Sequence, residues 1–535
     1  MHKGGSEGFK AGSSNEGALP NGWARARLAD ILSQPTAQGR SVRTSDDDEG
    51  FPVLRLTALR SDRIDCSAYK LGDWTAEEAA PYLIRPGDFL VGRGSGTLSL
   101  VGRGALVTDV PEPVAFPDTM IRIRSYPDWV EPLFLAYLWN SPVVRRQIEK
   151  SAKTGTGIHK ISQPEIRGIE LPLPPTAEQH RIANALNKHM ARLDEIEVCL
   201  RAARQRLETL RDLVMTAAAT GALAGEVKQQ DMPIAGSPAT TDTPLPPLAA
   251  GWRWGRLQEI ADVIGGVTKD SKNQHALDQR EVPYLRVANA QRARLELAQV
   301  ATIRVPPKTL EKLRLRRGDL LMTEGGDRDK LGRGWIWEDQ IEDCIYQNHL
   351  FRARILKQAT HPKLLGWYVN SAARAWFEAN GKQSVNLASI SITTVRQLPV
   401  PLPPAGEQEQ AKLVELGEQV LARVDRLMSV CDQGLAHCVE LRNALLEEAF
   451  SGRLIPQDPE DEPAEHFLMR IRAEREVAGA DRKPARRPAG IQSSPQRPAM
   501  PKVLARTDIS PPDSSTTGTP IAAGEQTTLP LEFTA

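Results

Sequence analysis

The feature that most constrains this chain is a proline-rich elbow that occurs twice, each time leading into a long charged heptad pattern. The first copy reads LPLPPTAEQ from Leu171 to Gln179, and the second reads VPLPPAGEQ from Val400 to Gln408, an offset of 229 residues (400 − 171). The stretches ahead of the elbow repeat as well. Gly22–Ile31 matches Gly251–Ile260, Pro52–Leu56 matches Pro283–Val287, and the Arg-Pro-Gly-Asp start of Arg85–Val91 matches the Arg-Arg-Gly-Asp start of Arg316–Met322. A glycine-rich loop follows in both copies, Gly92–Gly104 and Thr323–Gly334. Ile121–Arg124 then matches Phe351–Arg354, and a helix pattern ends in Asn140-Ser141 and again in Asn370-Ser371. The offset stays between 229 and 231, which predicts one fold present twice with small insertions in its loops. The short aliphatic runs behind Gly-Asp turns predict strands. The expected fold class is therefore α+β, with two similar α/β domains.

Each elbow predicts a helix start. Thr176-x-x-Gln179 reads as a capping box, and a residue before Pro-Pro disfavours helix. Beyond it, Leu193, Ile196, Leu200, Ala203, Leu207, Leu210 and Val214 recur at 3–4 spacing, as do Leu416, Val420, Val424, Leu427, Cys431, Leu435, Cys438, Leu441 and Leu445 in the second copy. That spacing is a coiled-coil seam. Gly221 and Gly452 suit the positions just past the helix ends. Each helix of about 45 residues spans about 65–70 Å, and neither buries its seam alone. The simplest partner for each is the other, antiparallel because a whole domain separates them. Gln408 and Asp425 stand two residues further apart than Gln179 and Asp194, so the helices are expected out of two-fold register. Gly434, mid-helix, is expected to cost about 1 kcal/mol.

Composition sets the frame. The chain has 535 residues, 40% hydrophobic and 25% charged, with a net charge of +1, so it can build more than one core but is no polycation. No apolar run approaches membrane-spanning length, and the N-terminus lacks the apolar stretch of a secretory signal. Cys66, Cys199, Cys344, Cys431 and Cys438 have neither zinc nor disulfide spacing, which favours a reducing cytoplasm. The expected layout is a disordered leader 1–20, a first domain 21–175, a first long helix 176–224 and a Pro/Ala/Thr-rich linker 225–250. A second domain 251–404, a second long helix 405–455, a short helical segment 456–476 and a disordered tail 477–535 follow.

No catalytic or metal-binding constellation emerges. There is no Walker loop and no Asn-Pro-Pro-Tyr or Asp-Pro-Pro-Tyr. Gly92–Gly96 resembles a phosphate cradle, but its second copy does not, and no ribose-binding acid follows. His159 and His180 stand singly on polar segments, and Cys431 and Cys438 share a helix face with the seam. Any nucleic-acid surface must be local. Residues 251–400 hold 24 Lys+Arg against 16 Asp+Glu, whereas residues 21–175 hold 19 of each. Two loop types combine small residues with donors suited to phosphates and base edges. In the first domain they offer Arg93, Ser95 and Thr97, then Lys153, Thr154, Thr156, His159 and Lys160. In the second they offer Arg328, Lys330 and Arg333, then Lys382, Gln383, Ser384 and Asn386, with Arg292 as a further candidate. The plain alternative for each is a solvated surface loop.

Two α/β blocks, each ending in Pro-Leu-Pro-Pro-x-x-Glu-Gln (Pro172–Gln179, Pro401–Gln408) before a long helix, resemble the specificity subunit of a type I restriction–modification system. The Gly-Trp openings running to Leu28 and Leu257, and the exit Ala449–Ala464, belong to the same resemblance, which covers about Gly22 to Glu476. It implies two target-recognition domains reading the halves of a split, asymmetric site on double-stranded DNA, with the two helices as spacer. It also implies docking of two modification methyltransferase subunits and, where the system includes them, two restriction/translocase subunits. S-adenosylmethionine, ATP and Mg would sit on those partners and none on this chain, which would be non-catalytic. Two rivals remain. One is a self-contained methyltransferase or nuclease, which needs a motif not found here. The other is an orphan DNA-binding scaffold or adaptor without restriction partners.

Overall fold

The two sequence marks that frame each repeat are strand partners. In the computed structural model, Ala24–Arg27 pairs antiparallel with Glu170–Leu173, and Arg253–Arg256 pairs in the same way with Pro399–Leu402. Each block is thus closed by its first and last strands. The prolines are tolerated because each ladder has only two strands, so a strand needs donors on one side only. Leu171, Leu173, Val400 and Leu402 face inward and are buried. The structure describes residues 19–45, 50–60, 63–155, 157–224, 227–228, 244–269, 278–356, 359–383, 387–404 and 406–480. The expected leader up to 18, most of the linker and the tail beyond 480 lie outside them.

Long helices follow both elbows, Thr176–Ala219 and Glu407–Phe450, each of 44 residues. The capping box predicted at Thr176 does not form. Pro175 takes the cap position and offers no side-chain bond, which places Thr176 inside the first turn. Its hydroxyl donates instead to the Trp129 carbonyl at 3.1 Å. The Gln179 amide donates to the Trp129 and Pro174 carbonyls, and its oxygen accepts from the Glu131 N–H at 3.0 Å. These side chains fasten the helix to its block rather than cap it. In the second copy Gln410 does this, its oxygen accepting from the His361 N–H at 2.7 Å. Glu409-Gln410, not Glu407-Gln408, therefore corresponds to Glu178-Gln179. The two additional residues lie in the elbow, and the helices match end to end at an offset of 231 (407 − 176). The expected loss of two-fold register is overturned.

The helices run antiparallel. Arg211 meets Asp425 at 3.0 Å, Arg204 meets Asp432 at 2.6 Å, and Arg442 meets Asp194 at 2.7 Å. Gly434 is no bare liability, because a Cβ there would come within 2.9 Å of Leu200 Cδ1, so the glycine permits close helix approach. The seam is narrower than predicted. Leu193, Val214 and Val424 are buried, and Leu200, Leu207, Val420 and Leu445 are half-buried. Ile196, Leu210, Leu416, Leu427 and Leu441 are exposed, with Ile196 at 48% and Leu427 at 54%. A straight helix drifts about 20° per heptad against a 3.5-residue repeat, and a single partner helix covers only one stripe. Cys431 and Cys438, which share the seam's helix face, are buried as that placement implies, and Leu421, outside the predicted seam, is buried as well.

Each block packs against the start of its own long helix and the end of the other. The first block's core includes Leu186 and Leu193 together with Leu446 and Phe450, while the second includes Leu413 and Leu421 together with Val214 and Ala218. The blocks therefore sit at opposite ends of the helix pair. Each also has a core of its own, around Leu54, Leu90 and Phe116 in the first and around Leu285, Trp337 and Tyr346 in the second. A C-terminal helix, Ala464–Ala480, buries Phe467, Leu468 and Ile471 in the first block's core. Contacts divide the chain at Arg475. The following unit is described only for Glu476–Ala480, the end of that helix.

Candidate nucleic-acid interface

The Arg-x-Gly-Asp turns anchor the strands that lead to the candidate loops. Asp88 accepts from the Arg85 N–H and pairs with the Arg124 guanidinium. Asp319 accepts from the Arg316 N–H at 2.8 Å and pairs with Arg354 through two bonds. Both carboxylates are almost fully buried, where only a paired, hydrogen-bonded charge is tolerated. The strands that follow, Phe89–Gly92 and Leu320–Thr323, are buried throughout and deliver the chain directly into the glycine-rich loops.

Those loops end in a clamp. The Asn140 side chain accepts from the Gly104 N–H at 3.2 Å and donates to the Gly104 carbonyl at 2.7 Å. Asn370 makes the same two bonds to Gly334, at 3.3 and 2.8 Å. The Asn-Ser helix ends seen in the sequence are therefore loop anchors. Gly102 and Gly332 have φ of 66° and 68°. Side chains there would also collide with Ile148 and the Phe377 ring, so the loop needs glycine at this point.

The two loop types chosen from the sequence meet in one small sheet in each block. Gly94–Ser95, Ile158–Lys160 and Lys153–Gly155 form three antiparallel strands, and so do Gly325–Gly326, Ala388–Ser389 and Lys382–Gln383. In the first block this brings Ser95 opposite His159, and His159 opposite Thr154, whose hydroxyl lies 2.9 Å from the imidazole Nδ1. Lys160 is exposed, and Arg93 stands at the head of the loop half-buried, with no described partner for its guanidinium. Thr97 is exposed, and its N–H is held by the Ser95 hydroxyl. Lys153 pairs with Glu165 at 2.9 Å, a hydrogen bond that holds its ammonium above the usual lysine value. Thr156 lies outside the described residues.

The second sheet carries smaller side chains, with Gly326, Ala388 and Ser389 where the first has Ser95, His159 and Lys160. Its polar groups stand around it. Lys382 and Gln383 are exposed, and Arg328 and Lys330 lie on the turn Arg328–Lys330. Arg328 donates to the Glu378 carbonyl at 3.1 Å, and Lys330 pairs with Asp327. Arg333 is half-buried. Ser384 and Asn386 are outside the described residues. Arg292 is committed elsewhere. It donates to the Asn370 and Asp329 carbonyls, and burial lowers its pKa, so it braces the loop against the helix end rather than facing a ligand. Sequence reasoning passed over Glu324 and His349, which pair at 2.7 Å beside this sheet. The usable signal was that Glu324 aligns with Arg93.

Among the described residues, no group of three or more His, Cys, Asp or Glu side chains could hold a metal ion. No described helix is long and apolar enough to cross a membrane.

A family model for the type I restriction modification DNA specificity domain matches residues 20–201. The type I restriction enzyme StySPI specificity subunit of Salmonella potsdam is 24% identical over 479 residues, 87% of this chain and 98% of that protein. The EcoDI specificity subunit of Escherichia coli is 23% identical over 484 residues, 86% and 97% of the two chains. A solved chain from work on complex assembly and conformational transition of the type I R-M system superposes with a TM-score of 0.60 at 22% identity. It covers 82% of this chain and 100% of its own length, and shows the same mixed helix–strand fold.

Proposed function

This chain belongs to the family of type I restriction–modification specificity subunits, non-catalytic DNA-recognition components, and from that premise we propose that it reads a bipartite, asymmetric DNA target. The observation that carries the reading is the placement of two equivalent blocks at opposite ends of an antiparallel helix pair, each presenting the same kind of three-stranded sheet. Each block is a target-recognition domain, over 21–175 and 251–404, and reads one half-site. The helix pair is the spacer, and its length sets the unread gap. The two blocks present different side chains on equivalent backbones, so the half-sites differ and the site is asymmetric.

The helix pair is also the docking surface for two modification methyltransferase subunits. Ile196 and Leu427 are equivalent positions at the 231 offset, as are Leu210 and Leu441, and all four are exposed. An apolar stripe repeated by two-fold symmetry suits two copies of one partner. S-adenosylmethionine is held by those subunits, and ATP and Mg by any restriction subunits that join them, with no cofactor on this chain. Single-molecule methylation sequencing of DNA from the source cell tests the whole reading. The expected result is a methylated motif of two short, different half-sites around a fixed gap, lost when this chain is deleted. A methylome unchanged by the deletion overturns it.

A further inference from the structure

We propose that Arg93 and Glu324 occupy one base-reading position in the two blocks, and that the second block uses Glu324, held by His349, to read a cytosine where the first uses Arg93 to read a guanine. This rests on the DNA-recognition reading above and adds residues and bases to it.

The equivalence is set by the backbone. Arg93 follows the buried strand Phe89–Gly92. Its N–H donates to the Thr119 carbonyl at 2.8 Å, and its carbonyl accepts from the Ile161 N–H at 2.9 Å. Glu324 follows the buried strand Leu320–Thr323. Its N–H donates to the His349 carbonyl at 3.0 Å, and its carbonyl accepts from the Ile390 N–H at 2.9 Å. Each residue is followed at once by the first strand of its three-stranded sheet, Gly94–Ser95 or Gly325–Gly326. The frame is shared and the chemistry is inverted. An arginine whose N–H donates to the Thr119 carbonyl becomes a glutamate whose carboxylate meets the His349 imidazole.

The inversion runs against the charge of its surroundings. Residues 251–400 carry the basic excess, 24 Lys+Arg against 16 Asp+Glu. Phosphate attraction alone disfavours a carboxylate at that position. What a carboxylate serves there is a hydrogen-bond donor, and the cytosine N4 amino group is the donor that Glu accepts from in the major groove. Arg takes the O6 and N7 acceptors of guanine. His349 Nδ1 holds one Glu324 oxygen at 2.7 Å, and the Glu324 side chain remains 31% exposed, so the group is positioned and still reachable. Of the neighbouring carboxylates, Asp327 is matched by Lys330 and Asp329 lies on the exposed turn beyond it, whereas Glu324 stands at the head of the sheet's first strand. If Glu324 and His349 were an ordinary surface ion pair, changing them would leave base preference alone.

The test is selection from a randomised duplex library by the full chain, isolated from its source cell with its bound partners, as wild type, Glu324→Gln, Glu324→Arg and Arg93→Gln. Wild type is expected to favour cytosine at one position of one half-site by about tenfold or more. Glu324→Gln should move that preference toward adenine, whose N6 and N7 suit an amide, and Glu324→Arg should turn it to guanine. Arg93→Gln should alter one guanine of the other half-site. Preferences within twofold of wild type in all three variants, with the bipartite motif intact, overturn this proposal and leave the recognition reading standing. A wild-type chain that selects no motif overturns both.

Discussion

The Arg442 guanidinium lies 2.7 Å from the Asp194 carboxylate, joining the last turns of the second long helix to the middle of the first. Its two-fold mate is Arg211 on Asp425 at 3.0 Å, because 211 + 231 = 442 and 194 + 231 = 425. Both pairs are partly solvated. Double-mutant cycles on each are therefore expected to give about 0.2–1 kcal/mol of coupling, of similar size in the two. Coupling of several kcal/mol in one pair alone would contradict the observed symmetry.

Gly417 and Gly434 of the second helix should respond unequally to a methyl group. A Cβ on Gly417 would lie 2.7 Å from the Trp367 ring, whereas one on Gly434 would meet only the mobile end of Leu200. Gly417→Ala is expected to destabilise the chain by about 1–3 kcal/mol through overpacking. Gly434→Ala should stay within about 1 kcal/mol of wild type, because helix propensity offsets a small shift of Leu200. Denaturant unfolding of both variants decides this, and equal losses would reject the contrast.

Glu178 gives the fold a measurable pH dependence. Its carboxylate is buried where the first elbow meets Trp23, whose indole N–H donates to it at 3.1 Å. Burial raises its pKa above the ordinary 4.5, while Trp23 and Arg181 pull the other way. A raised carboxylate pKa means that the fold holds a proton which the unfolded chain has released. Stability from this group is thus present below pH 4.5 and falls as pH rises toward the folded pKa. The stability of wild type minus that of Glu178→Gln should therefore decline with rising pH, starting near 4.5. A difference independent of pH would show that burial leaves this group unshifted.

Matched insertions should change the gap and not the bases read. Seven residues added after Arg201 and seven after Asp432 keep the two-fold relation and lengthen the pair by about 10 Å. At 3.4 Å per base pair, the tolerated gap should grow by about three base pairs. Methylation sequencing of cells carrying this variant would show new half-site bases if the helices did more than set spacing.

Much of the fold was legible because it was written twice. The pairing of Ala24–Arg27 with Glu170–Leu173 recurs at Arg253–Arg256 and Pro399–Leu402, and the repeated Gly-Trp openings and proline elbows marked both. The candidate sheet was half legible. Small and basic residues flagged the loops, but nothing local says that Ser95 lies opposite His159, 64 residues on. Arg292 misled because a basic residue in a basic block looks free until the Asn370 and Asp329 carbonyls are found on it. Glu324 was overlooked because a search for basic donors passes over the acid that replaces one.

The sequence by itself determined the duplication, the strand and helix types and the elbows, since these rest on periodicity and on residues that recur at one offset, and its repeated motifs carried the family resemblance. Only the tertiary structure decided the helix register, which apolar positions face the partner helix, and which polar groups remain open. Register depends on the contact between Gln410 and the His361 N–H, which moves the second elbow's extra residues out of the helix. Exposure at Ile196 and Leu427 depends on how far a straight helix turns away from its neighbour. Both are distances across space, and spacing along the chain does not encode them.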